Sequence, residues 1–442
     1  MQRRFETNDS VLKDCKIYQM LQENAEKQHL SFHTPGHKVG AWDITELSFS
    51  DNLACPRGCI LQAETDIARI LGAEKSFLLT DGSTCGVLSM LYVAKSVGVR
   101  KIAVCRSTHK SFYNGCSLLG LTPLAYAPYE DEKIPFPPTM SVLKSDFAEI
   151  LEQADALFLT SPDYYGNVAD LQNIREYCDQ TGKLLLIDGA HGGHLHFDKK
   201  LYAGGYADLW VDGVHKSLPA LTQGAIVSAK NAVLAEKLQE AVGIFRTTSP
   251  SYPIMASVEY AVKYPRNEAL ECAVKAYAKT SPRLLLKEDW TKLCAVFGGD
   301  AFAVEEELQA RGIYPEFCDG NVIMFYLSPA TKKEEFDGLR VALNELFIKY
   351  PLHGSKIKEK GFQSAPVPFV LDKNANTEWV EMENSVGEIC AADCGLFPPC
   401  TPLIARGERI TEEKINLLQK AGNVFGLSDG KILTVKTPKS EE

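Results

Sequence analysis

Lys216 lies in Asp212-Gly-Val-His-Lys-Ser-Leu-Pro-Ala-Leu-Thr-Gln-Gly224, beside His215 and between apolar segments at 207–211 and 225–227. An amine in such a turn is partly desolvated. Desolvation disfavours the ammonium form and leaves a nucleophile able to condense with an aldehyde. Upstream, Lys183-Leu-Leu-Leu-Ile-Asp188-Gly-Ala-His191 reads as a buried strand that ends in a carboxylate. A carboxylate at the tip of an apolar strand is costly unless it is paired. The protonated nitrogen of a pyridine ring would pair it and make that ring an electron sink. The simpler reading of Asp188 is a cap for the following turn. A lysine for an aldehyde and an acid for a ring nitrogen are what pyridoxal 5'-phosphate (PLP) requires.

Other chemistry-bearing residues follow apolar runs in the same way. Asp81-Gly-Ser83-Thr84 stands between a strand-like and a helix-like segment, where hydroxyls and backbone N–H groups meet a phosphate or simply cap the helix. His109, in Arg106-Ser-Thr-His-Lys-Ser111, either lies against a planar ring or is a solvated loop histidine. Tyr164 and Tyr165 either wall a site or pack in a turn. His191, His194 and His196 look metal-like, but strand alternation would turn His194 and His196 away from His191. Cys55 and Cys59 have no second tight pair to complete a zinc set, so no metal is predicted.

Positioning these groups falls to alternating elements. Helices are expected at 11–29, 61–71, 85–97, 111–119, 140–154 and 171–180. Strands are expected at 76–80, 101–105, 124–126, 156–160, 183–187 and 209–211, and 131–139 reads as a loop. Residues 228–282 are largely helical around Thr247-Thr-Ser-Pro-Ser-Tyr-Pro253. Such alternation predicts an α/β domain with a mostly parallel sheet covered on both faces. Ligands of such sheets bind at the carboxyl ends of strands, where the residues above are found. After about residue 285 the pattern changes to helices at 301–311, 331–349 and 411–421 and a strand at 321–327, read as a smaller α+β domain. The predicted organisation is an N-terminal helical arm (1–30), a large domain (31–285) and a small domain (286–442).

The 442 residues are 45% hydrophobic, enough for more than one core. A net charge of −10 argues against nucleic acid as a partner. The N-terminus lacks the apolar stretch of a signal peptide, and no run reaches membrane-spanning length, so a cytoplasmic location is expected. The 13 cysteines are scattered, as buried thiols are, rather than spaced as disulfides.

Taken together, Phe32-His-Thr-Pro-Gly-His-Lys38, Asp43-Ile-Thr-Glu-Leu47, Leu79-Thr-Asp-Gly-Ser-Thr-Cys-Gly86, Arg106-Ser-Thr-His-Lys-Ser111, Ser161-Pro-Asp-Tyr-Tyr-Gly166, Asp188-Gly-Ala-His-Gly-Gly-His194, His215-Lys216 with Leu218-Pro-Ala-Leu-Thr-Gln223, and Thr248-Ser-Pro-Ser-Tyr252 resemble the bacterial ornithine/lysine/arginine decarboxylase family. The chain looks like a short form without the N-terminal wing domain. The resemblance implies PLP fold type I, aspartate-aminotransferase-like, with a seven-stranded sheet in the large domain. It also implies decarboxylation of lysine, arginine or ornithine, and a homodimer or higher oligomer with sites at the subunit interface.

The resemblance further implies individual roles. Lys216 takes the cofactor's aldehyde, Asp188 holds the ring nitrogen and His109 stacks on the ring. Ser83 and Thr84 bind the phosphate. His215 fixes phosphate or substrate, and Lys216 or His215 returns a proton to Cα. His191 lies near the ring's phenolic oxygen, and Ser249 and Ser251 reach the neighbouring subunit's cofactor. Asp163, Glu388 and Glu408 are candidates for the substrate's distal cation.

Departures from the family pattern open alternatives. Gly213 and Val214 stand where the family carries Ser or Thr, so one phosphate hydroxyl is missing or comes from elsewhere. Pro398-Pro-Cys400 and Arg406-Gly-Glu408 replace Pro-Pro-Gly and Pro-Gly-Glu. The alternatives are another fold-type-I reaction, such as aminotransfer with Arg406 on the α-carboxylate, or a non-catalytic PLP-fold protein.

Overall fold

The computed structural model describes residues 8–27, 30–38, 42–106, 108–126, 150–318, 320–352, 376–396, 400–420 and 423–436. The predicted loop at 131–139 and most of the predicted helix at 140–154 lie outside them.

Seven apolar runs form the main sheet. They are β1 (Lys75–Leu79), β2 (Lys101–Cys105), β3 (Thr122–Tyr126), β4 (Ala156–Thr160), β5 (Leu184–Gly189), β6 (Leu209–Asp212) and β7 (Ala225–Ala229). Their order is β1-β7-β6-β5-β4-β2-β3. The β2–β3, β2–β4 and β5–β6 pairs are parallel, and β7 runs against its neighbours β1 and β6. Every residue of β6 and β7 is buried, as continuous apolar strands covered on both faces must be. This is the predicted α/β class and the mostly parallel seven-stranded sheet.

The chain forms two compact units, one of Met1–Val93, Thr160–Tyr177 and Leu185–Glu359, the other of Ala94–Leu159, Cys178–Leu184 and Lys360–Glu442. The first carries nearly all of β1, β5, β6 and β7. It also holds a four-stranded antiparallel sheet of β8 (Leu284–Leu285), β9 (Lys292–Val296), β10 (Phe317–Cys318) and β11 (Val322–Tyr326), in the order β10-β11-β9-β8. Its core includes Leu293, Ala295, Ile323 and Phe325 from the sheet, Leu270 and Val274 from the helix Glu268–Ala278, and Leu343 and Leu346 from the helix Lys333–Lys349. The second unit contains β12 (Thr377–Glu381), β13 (Cys394–Leu396), β14 (Pro402–Ile404), β15 (Val424–Phe425), β16 (Leu427–Ser428) and β17 (Lys431–Val435) in two three-stranded sheets, β12-β17-β16 and β14-β13-β15.

The helix expected at 11–29 is two helices, Asp9–Leu12 and Lys16–Ala25. The Glu259 carboxylate accepts the Lys16 and Ile17 N–H groups at 2.7 and 2.9 Å. A tertiary contact therefore caps the second helix, where local sequence offers only Cys15. Among the described residues no helix is long and apolar enough to cross a membrane.

Candidate active site

Lys216 sits in a one-turn helix, Val214–Ser217, immediately after β6. Its Nζ is 3.2 Å from His191 Nε2. Gly213, the residue after β6, has no room for a side chain, because a Cβ there would stand 2.4 Å from the Ala190 carbonyl oxygen. Val214 is buried. At position 213 the family's hydroxyl is therefore excluded by close approach of the turns after β5 and β6.

Asp188 occupies β5 opposite Val211 of β6. Its carboxyl is buried, and Oδ1 accepts the Ala190 N–H at 3.0 Å. Burial pushes its pKa up, while the Lys216 charge and that hydrogen bond pull it back. His215 donates its Nδ1 hydrogen to the Gly224 carbonyl at 2.9 Å, and burial lowers its pKa. The imidazole is thus neutral, with the lone pair on Nε2.

Ser83 and Thr84 lie in the first turn of the helix Gly82–Ser96, which follows β1. Gly82 has φ +73° and donates to the Gln223 carbonyl at 2.9 Å. Gly86 brings this helix onto β6, since a Cβ there would sit 2.5 Å from Val211 Cγ2. The 247–251 segment is tied to the same turn, because Asp81 Oδ2 accepts the Thr247 N–H at 3.2 Å. Ser249 is exposed, and Ser251 is the N-cap residue of the helix Tyr252–Lys263. The structure therefore ties Asp188, His191, His215 and Lys216 to the ends of β5 and β6. It ties the Ser83–Thr84 turn to the segment bearing Ser249 and Ser251.

His109 belongs to the second unit and follows β2. Its Nδ1 accepts the Ser111 N–H at 3.2 Å, capping the helix Lys110–Leu119. That capping bond places its ring proton on Nε2.

Two of the three distal-cation candidates are already engaged. Asp163 accepts the Tyr165 and Asn167 N–H groups, both at 2.9 Å, and the Asn167 amide at 2.7 Å, and burial raises its pKa to about 6. Glu408 is buried against Arg106, at 2.6 and 2.8 Å, and Lys414, at 3.0 Å. Glu388 is half-buried beside the Ile389–Arg409 bridge. Arg406 Nη1 donates to Ser117 Oγ at 2.8 Å.

The His191–His196 stretch is not the alternating strand expected from its pattern. His194 and His196 lie in a 3-10 helix, Gly193–Phe197. His194 Nε2 meets Asp289 Oδ1 at 2.8 Å, and His196 Nδ1 meets the Gly193 carbonyl at 2.7 Å. Among the described residues no group of three or more His, Cys, Asp or Glu could hold a metal ion.

Sequence reasoning missed Tyr326, Lys292 and Asp289. Tyr326 Oη is 3.4 Å from His191 Nδ1, and Lys292 Nζ is 3.4 Å from the His191 carbonyl oxygen. The run Glu288-Asp-Trp-Thr-Lys292 looks like an exposed polar turn. Its only hint was a short apolar run after Lys292, too brief to separate strand from loop.

The family model for the Orn/Lys/Arg decarboxylase major domain matches residues 41–279. An arginine decarboxylase of Bacillus subtilis (strain 168) is 27% identical over 461 residues, covering 92% of this chain and 93% of that protein. The constitutive lysine decarboxylase of Escherichia coli (strain K12) is 28% identical over 237 residues, 49% of this chain and 32% of that protein. The solved structure of the E. coli constitutive lysine decarboxylase superposes with a TM-score of 0.75 at 18% identity, over 97% of this chain and 83% of that one. The structural likeness establishes the fold, PLP fold type I, and the family model covers more than half the chain.

The chain belongs to the Orn/Lys/Arg decarboxylase family. It is a PLP-dependent amino-acid decarboxylase whose reaction class is removal of CO2 from a basic amino acid. The residues present fit that cofactor. The buried Asp188 carboxyl, raised in pKa by desolvation, suits a cationic ring nitrogen. The helix N-terminus at Gly82 suits a phosphate. When bound, PLP supplies the sink for the electron pair released as CO2 leaves.

Proposed function

We propose that this decarboxylase acts on arginine, with lysine and ornithine as weaker substrates. The observation that carries the choice is length of match. Sequence similarity to the B. subtilis arginine decarboxylase runs over 92% of the chain, whereas the sequence alignment to the E. coli lysine decarboxylase covers 49%, although its fold matches throughout. In this reading Lys216 supplies the amine that holds the cofactor, and Asp188 keeps the proton on the ring nitrogen. Ser83, Thr84 and the helix N-terminus hold the phosphate, His191 flanks Lys216, and His109 lies on the ring. After CO2 departs, the proton for the substrate Cα comes from the Lys216 ammonium, or from His215 Nε2 once that nitrogen has taken up a proton.

The same reading gives an arm at 1–30, a cofactor-binding domain at 31–285 and a small domain at 286–442. It makes the protein a cytoplasmic homo-oligomer in which Ser249 and Ser251 complete a neighbour's site. Incubation with arginine, lysine and ornithine tests the substrate. Agmatine and CO2 should form fastest from arginine. Faster release from lysine, or a keto acid in place of the amine, would overturn the assignment. Lys216→Ala should lose the bound cofactor's visible absorption, and a band that persists would remove Lys216 from its role.

A further inference from the structure

Lys292 and Asp289 are both fully buried, and Lys292 Nζ donates to Asp289 Oδ2. Asp289 Oδ1 also lies 2.8 Å from His194 Nε2 and accepts the Thr291 N–H and O–H at 3.0 and 2.7 Å. These bonds and the neighbouring positive charges hold the Asp289 carboxyl well below the usual carboxylate range. An enclosed charge cluster is no efficient source of stability, since apolar residues of similar volume commonly serve as well. What surrounds the cluster accounts for it better.

Lys292 and Tyr326 are cross-strand partners in the β9–β11 ladder. The ammonium sits 4.6 Å from the centre of the Tyr326 ring and 3.4 Å from the His191 carbonyl oxygen. Tyr326 Oη is 3.4 Å from both that carbonyl and His191 Nδ1. On its other side, His191 presents Nε2 to Lys216 Nζ at 3.2 Å.

With Lys216 as an ammonium, the hydrogens fit one arrangement. A Lys216 ammonium can only donate, so Nε2 must carry the lone pair. A neutral imidazole then bears its proton on Nδ1 and donates it to Tyr326 Oη. The Tyr326 hydroxyl in turn donates to the His191 carbonyl. We infer that Tyr326 and Lys292 are positioning residues that fix His191 as its Nδ1-protonated tautomer, so that His191 Nε2 is the proton acceptor for Lys216. The inference rests on the proposed role of Lys216. In the step itself Lys216 gives up one ammonium proton and becomes the neutral nucleophile. His191 Nε2 takes that proton, and the charge moves from lysine to imidazole.

The groups facing this pair fall on both sides of the balance. Asp188 from β5 and Asp289 behind Lys292 favour a charged imidazole. Lys292 opposes it, while the neutral His215 adds no charge. Tyr164 packs its ring edge-on to His191 at 5.4 Å, and its hydroxyl is bonded to Glu316 at 3.1 Å.

The test is nitrogen NMR of the holoenzyme labelled at histidine, with the His191 signal assigned by its loss in His191→Gln. Wild-type His191 should be protonated at Nδ1. Tyr326→Phe, which keeps the ring, should move the population toward Nε2–H and lower kcat by about tenfold, the scale of one lost hydrogen bond, with little change in KM. Lys292→Met should act in the same direction. An Nε2-protonated His191 in the wild type overturns the inference whether or not any variant folds. So does a Tyr326→Phe enzyme whose His191 signal is unchanged. Lys216→Ala separates the two ideas. If the cofactor's absorption survives that substitution, the reading of Lys216 fails. If it vanishes while His191 ignores Tyr326→Phe, only the present inference fails.

Discussion

Two buried carboxyls end neighbouring strands, and they differ in what faces them. Asp188 has the Lys216 charge nearby. Asp212 instead accepts the Tyr202 hydroxyl at 2.6 Å, while its Oδ1 is buried and meets no donor among the described residues. Burial raises the Asp212 pKa from 3.8 to about 7, with Asp188 adding to the rise. A carboxyl raised on folding stabilises the fold fully below its unfolded value. That contribution disappears as the pH climbs to the folded value, because ionisation then costs more in the native state. Thermal stability should therefore drop between about pH 4 and pH 7, and Asp212→Asn should drop less over the same interval. Parallel melting curves for the two proteins across that range would remove Asp212 as the cause. At this scale the sequence singled out Lys216 and Asp188 by type and spacing, and His215 through the family resemblance. It gave no access to Tyr326 and Lys292, which meet His191 only when β9 and β11 pair, or to Asp289, which meets His194.

At the scale of elements, the turns after β5 and β6 approach so closely that residue 213 must be glycine. The missing family hydroxyl thus follows from backbone contact between Gly213 and Ala190. Gly213→Ser should force the two turns apart at a cost of about 1–3 kcal/mol, the range for overpacked sites. Denaturant unfolding of the cofactor-free protein would show it. An unfolding midpoint equal to wild type, with tighter cofactor binding, would mean the turn tolerates a hydroxyl. Strand positions along β2, β4 and β6 were legible because apolar runs of five residues or so bounded by turn formers have few other fates. The His191–His196 stretch was misread as a strand because its alternation is genuine. The 3-10 turn wins since it lets His194 reach Asp289 and His196 bond the Gly193 carbonyl. The single helix expected from residue 11 was likewise divided by Glu259, more than 240 positions away in the chain.

For the whole molecule, shared sites between subunits would follow from the proposed reach of Ser249 and Ser251. Mixing Lys216→Ala chains with a Ser249→Ala/Ser251→Ala double variant should then restore activity that neither has alone. The mixed oligomer retains one site with all its native groups. Mixtures no more active than their parents, with subunit exchange confirmed by mass spectrometry, would confine each site to one chain. The sequence by itself determined the α/β class through local periodicity and pointed to the cofactor chemistry through residue types at strand ends, while its motifs carried the resemblance to the family. Only the tertiary structure decided which ionisable groups act together. Glu408 looked open to a substrate cation until Arg106 and Lys414 closed on it. Lys292 carried no signal in the sequence, and antiparallel pairing sets it over Tyr326 behind His191. Both outcomes depend on contacts between residues far apart in sequence, and a buried charge takes its partner from whatever the fold brings within hydrogen-bonding distance.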